Sequence, residues 1–76
     1  MPHVIIKMQP GRSEQQKSRL AEDVTKAVVA IANCTEDAVS VSIEDVAAAD
    51  WVEQVYKPDI LGKPDHLYKK PGYNPL

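Results

Sequence analysis

The strongest constraint on this 76-residue chain is one long helical period set between two short β-type runs. Leu20, Val24, Ala27, Val28 and Ile31 recur at helical spacing, with Ala21 and Ala32 beside them. Lys17, Arg19, Glu22, Asp23 and Lys26 take the remaining surface. Ser13 stands three residues before Gln16, the spacing of a capping box that satisfies two orphaned N–H groups of a first turn. The reading is an amphipathic helix of about 19 residues ending near Asn33. Ahead of it, Val4-Ile5-Ile6-Lys7-Met8 is β-branched and apolar, a strand with Val4, Ile6 and Met8 on one face and Ile5 on the other. Gln9-Pro10-Gly11 is a turn, since proline presets φ and glycine accepts positive φ. After the helix, Ala38 to Val46 alternates, with Val39, Val41 and Ile43 opposite Ser40, Ser42 and Glu44.

Strand, helix, strand makes an α+β chain built on one βαβ unit, with two parallel strands and a right-handed crossover. Residues 1–76 are read as a single domain. Two strands under one helix are too few to be stable alone. A chain this short buries roughly 60% of its surface, and disulfides, a metal or association usually make up the deficit. Cys34 is the only cysteine, so no disulfide closes within the chain, and no Cys/His spacing suits zinc. Association is the remaining remedy. The expectation is a homodimer that joins two βαβ units into a four-stranded sheet with its helices on one face. A hexamer, as a trimer of such dimers, is the alternative.

The second half carries weaker signals. Ala47 to Lys57 reads as a short helix, with Asp50 and Glu53 at capping-box spacing, Trp51 and Val55 on its apolar side, and Pro58 ending it. Pro64 would start another turn with Leu67 and Tyr68 facing inward. Lys69-Lys70-Pro71-Gly72-Tyr73 ends in a proline–glycine turn leading to an extended tail. The formal charge of −2 gives no basic footprint, so no nucleic-acid partner is expected. No apolar run approaches the roughly 20 residues that cross a bilayer, and no membrane partner is expected. The start lacks a charged-then-apolar signal segment, so the expected location is cytoplasmic.

Chemistry centres on Met1-Pro2. Initiator methionine is normally trimmed when the next side chain is as small as proline. Trimming leaves Pro2 as a free secondary amine. An α-amino group titrates at about 7.7–8.0, and burial lowers that by disfavouring the charged form. Such an amine is a good general base near neutrality. With Met1 attached, the Pro2 nitrogen is a tertiary amide and accepts no proton. The plainer reading of Pro2 is the start of an edge strand.

Met1-Pro2-His3-Val4 followed by Gly11-Arg12-Ser13-Glu14-Gln15-Gln16-Lys17 resembles the 4-oxalocrotonate tautomerase superfamily. Ile6-Lys7, Ser40-Val41-Ser42-Ile43, Trp51 and Lys69-Lys70-Pro71-Gly72-Tyr73 are similar to its PptA-type branch. The resemblance implies a β-α-β tautomerase (MIF-like) fold, a dimer, and cofactor-independent ketonisation of a small enol or 2-oxo acid such as phenylenolpyruvate. It implies Pro2 as proton carrier and Arg12, Ser40 and Trp51 as substrate-binding residues, with no cofactor and no metal. Arg12 matches a carboxylate-binding arginine; a guanidinium beside a helix N-terminus suits an anion, though a solvated turn arginine is the alternative. Ser40 departs from the family, which places a second arginine there. A hydroxyl carries no charge, which favours a monoacid over a dicarboxylate. Trp51 matches an aromatic wall position and could equally be core packing.

Other candidates are weaker. Lys7 is read as a strand-face lysine, with charge repulsion on the proline amine as its alternative. His3 is read as structural, His66 as exposed and Cys34 as semi-buried. Tyr56, Tyr68 and Tyr73 are candidates to close a pocket, and nothing in their context ranks them. Two other functions stay open. One is dehalogenase, hydratase or decarboxylase chemistry on the same proline. The other is a catalytically inactive dimeric binding module.

Overall fold

The computed structural model describes all residues, Met1–Leu76. Strand β1 covers His3–Met8, helix α1 Glu14–Ala32 and strand β2 Ser40–Asp45. The strands are parallel, in register from His3 opposite Ser40 to Met8 opposite Asp45. Alternation then sorts the side chains. Val4, Ile6 and Met8 share a face with Val41 and Ile43, while His3, Ile5 and Lys7 share the other with Ser40, Ser42 and Glu44.

Helix α1 covers the first face. Its capping box is formed: Ser13 Oγ accepts from Gln16 N–H at 3.1 Å, and Gln16 Oε1 accepts from Ser13 N–H at 2.8 Å. Asn33 ends it in the left-handed region at φ 58, which asparagine tolerates. Lys17 ties the first turn to the end of β2 through Asp45 at 2.7 Å, and this bond holds the lysine above its ordinary pKa. Lower down, Ala21, Thr25 and Val29 line a shallow cleft together with Val41. Ile31 departs from the expected apolar stripe and is 85% exposed. Nineteen helical residues span about 28 Å and six strand residues about 20 Å, so the last turn of α1 outruns the sheet.

The opposite face carries a helix of unusual pitch that covers it only in part, leaving Ile5 55% exposed. A 3-10 turn at Ala48–Asp50 leads into a π-helix at Val52–Leu61. Two expectations fail here. Asp50 makes no side-chain cap, and Glu53 instead pairs with Lys57 at 2.7 Å. Pro58 lies inside the helix rather than ending it. Its ring clashes with a carbonyl four residues back in an α-helix; the wider π turn bonds five residues back and relaxes that clash. Gly62 closes the turn, its N–H donating to Lys57 C=O at 2.8 Å. A Cβ there would lie 2.7 Å from Pro58 O, so glycine is required.

The buried residues are Val46, Val55 and Tyr56, beside and within this π-helix rather than beneath α1. A further expectation fails beyond the π-helix. Pro64–His66 forms the anticipated turn and Leu67 is half-buried, but Tyr68 is 99% exposed.

Candidate active site

The two ends of the sheet carry different chemistry. At the start of the strands, Pro2 is half-buried and its carbonyl accepts the Ser40 N–H at 3.2 Å. The ladder thus holds the backbone of Pro2 in place. Ser40 is exposed, and its Oγ lies 2.6 Å from His3 Nδ1, a bond whose direction follows the imidazole tautomer. His3 is therefore engaged with β2, as a structural histidine would be. Met1 is fully exposed.

At the far end, Gly11 turns the chain at φ 132, a left-handed value that favours glycine. Arg12 follows it, exposed, with Nη1 donating a long 3.3 Å bond to Gln9 C=O. Most of the guanidinium fork stays available to an anion. Trp51 is half-buried on the facing side. Its Nε1–H donates to the Tyr73 hydroxyl at 2.9 Å, and the Tyr73 ring packs on buried Tyr56 with centroids 5.8 Å apart. Arg12, Trp51, Tyr73, Lys7, Met8 and Pro75 line a cleft of about 470 Å³.

Lys7 is committed elsewhere. Its Nζ donates to Asp59 Oδ2 at 2.6 Å, which pins the π-helix to β1, and Lys63 joins Asp59 from 3.6 Å. The bond from Lys7, with lesser help from Lys63, holds the Asp59 carboxyl below its ordinary value, and holds Lys7 above its own. Five residue steps along the strand, about 16 Å, separate Lys7 from Pro2, beyond the roughly 8 Å over which exposed charges act. Within one chain Lys7 is thus a strand-face lysine.

Arg12 and Trp51 are brought together, as are Pro2 and Ser40. The two pairs stand at opposite ends of β1, about 20 Å apart. Asp59 is a contributor that the sequence did not single out, and Tyr73 is one that it named but did not rank. Tyr73 reaches Trp51 across 22 positions and Asp59 reaches Lys7 across 52, distances over which no local pattern speaks. No three His, Cys, Asp or Glu side chains converge as metal ligands would.

Comparison with known proteins agrees with this architecture. Residues 2–56 match the tautomerase enzyme family. A probable tautomerase of Xylella fastidiosa is 42% identical over 76 residues, covering 100% of this chain and 93% of the relative. Tautomerase PptA of an Enterobacter species is 40% identical over 75 residues, covering 97% of this chain and 99% of the relative. Among solved structures, YwhB, a homologue of 4-oxalocrotonate tautomerase, superposes with a TM-score of 0.59 at 39% identity. That superposition covers 60% of this chain and 75% of YwhB. With its β-α-β fold, the chain belongs to the tautomerase family, is close to the PptA tautomerases within the 4-oxalocrotonate tautomerase superfamily, and is an isomerase.

Proposed function

We propose that the chain is a cofactor-independent keto–enol tautomerase of small enol or 2-oxo acids such as phenylenolpyruvate, working as a cytoplasmic homodimer with Pro2 as proton carrier. In the ketonising direction the Pro2 amine takes the enol hydroxyl proton. The oxygen lone pair closes the carbonyl, the C=C pair reaches for a proton at carbon, and the prolinium returns it there. Arg12 holds the carboxylate and Trp51 supplies an apolar wall that keeps the amine neutral. Ser40 donates or accepts at the rim.

The observation that supports this reading is a split placement: Pro2 stands at one end of the sheet, Arg12 and Trp51 at the other. A two-fold axis perpendicular to the sheet that joins the two β1 edges keeps both α1 helices on one face and runs the joined strands antiparallel. Pro2 of one copy then lies alongside the Arg12 end of the second. Sparse burial supports the same step, since a chain with three buried residues gains much from a second copy.

The test starts with the intact mass of protein from its native host, expected without Met1. Trimmed protein should ketonise phenylenolpyruvate with a rising pH limb at or below the ordinary amine value of about 7.7–8.0. Pro2→Ala should lose about 10²–10⁴-fold in kcat. Retained methionine, or a rate flat through neutrality, would overturn the proposal.

A further inference from the structure

We infer that Tyr73 is a substrate-binding residue whose hydroxyl donates a hydrogen bond to the oxygen that becomes the enolate; the inference rests on the tautomerase reading of the same site. Three observations place it there.

First, Tyr73 lines the cleft that holds Arg12 and Trp51. Tyr56 lies buried beneath it and Tyr68 is exposed elsewhere, so the structure ranks the three tyrosines. Second, the Tyr73 oxygen already accepts the Trp51 N–H at 2.9 Å. Indole is a donor only, so the phenol keeps its own hydrogen free to donate. Third, the ring is held from behind by Tyr56 at 5.8 Å. A hydroxyl fixed at both oxygen and ring loses little freedom when it meets developing charge, the condition under which a donor lowers a barrier.

The chemistry calls for such a group. Removing the enol proton leaves negative charge on oxygen, and Ser40 carries no cation to meet it. The Ser40 hydroxyl is also tied to His3. In the two-fold arrangement the Arg12 end of one copy faces Pro2 of the second, so Tyr73 arrives with Arg12. One anion fork and one neutral donor suit a substrate with a single carboxylate and one enol oxygen. Two arginines would suit a dicarboxylate.

The test is Tyr73→Phe in trimmed, Pro2-bearing protein, which keeps the ring stack and deletes the donor. With phenylenolpyruvate, kcat should fall about tenfold to hundredfold, the worth of a hydrogen bond to a charged oxygen, while KM stays within about threefold. Arg12→Ala should do the reverse and raise KM. Trp51→Phe keeps the wall but frees the tyrosine oxygen, so it should lower kcat by less than Tyr73→Phe. Oligomeric mass and melting temperature of Tyr73→Phe should match the parent. An unchanged kcat would overturn the assignment. So would a loss of rate that tracks dissociation or melting, since the tyrosine would then be scaffolding. Full activity in Pro2→Ala would instead sink the underlying proline reading, a failure visible separately.

Discussion

The two ends of the two-stranded sheet are opposites. The end at Pro2 has a backbone held by the strand ladder and few walls: Ser40 and Met1 are exposed, and the last turn of α1 hangs past it with Ile31 bare. The end at Arg12 has walls, a guanidinium with one long hydrogen bond, a phenol held by Trp51 and a pinned helix. Each lacks what the other has. In the proposed function each chain supplies half of two reaction centres, and two-fold apposition makes both whole.

The largest effect is expected from a mixing experiment. Pro2→Ala and Arg12→Ala proteins should each be nearly inactive at low substrate. Unfolded together and refolded, they should recover about a quarter of parental activity, because half of the dimers are mixed and each mixed dimer has one intact site. No recovery would mean that base and fork act within a single chain.

A middle-sized effect concerns how the walled end is fastened. Asp59→Asn removes the charge that pairs with Lys7, and should lower the melting temperature by roughly a few degrees at pH 7. The sign with pH follows from the depressed carboxyl. Its stabilisation is complete above the ordinary value of 3.8 and is lost as pH falls through the lower folded value. The gap between parent and variant should therefore narrow as the pH is lowered below 3.8. Thermal denaturation at neutral and acid pH checks this; a gap that persists in acid would assign the loss to packing.

The smallest effect belongs to the open end. Ser40→Ala should cost about twofold to tenfold in kcat, the range of a neutral hydrogen bond. A larger loss than Tyr73→Phe would move the enolate donor from one end of the sheet to the other.

The same contrast governs what could be read from residues alone. The first half was legible because its signals are local. Apolar periods of 3.6 and 2 mark α1 and both strands, and Ser13 with Gln16 marks the helix start within three residues. The second half depends on distant partners. Pro58 argues for a break in any α-helix, whereas the π-helix that runs through it buries Val55 and Tyr56 and ties Asp59 to distant Lys7. The pairing of Asp50 with Glu53 obeyed a capping rule that the 3-10 turn made irrelevant. Pro2, Arg12, Ser40 and Trp51 were visible as residue types, whereas their division between opposite ends needed the register of the strands.

The placement of both termini bears on how the molecule should be handled at the bench. Pro75 lines the Arg12 cleft, and the nitrogen proposed to move the proton sits one residue from the start. An affinity handle fused ahead of Pro2 would convert that amine to an amide and silence it, while one fused behind Leu76 would crowd the phenol and the guanidinium. Purification without a handle, or with one that a protease removes to expose proline, is the preparation in which a measured turnover would have meaning.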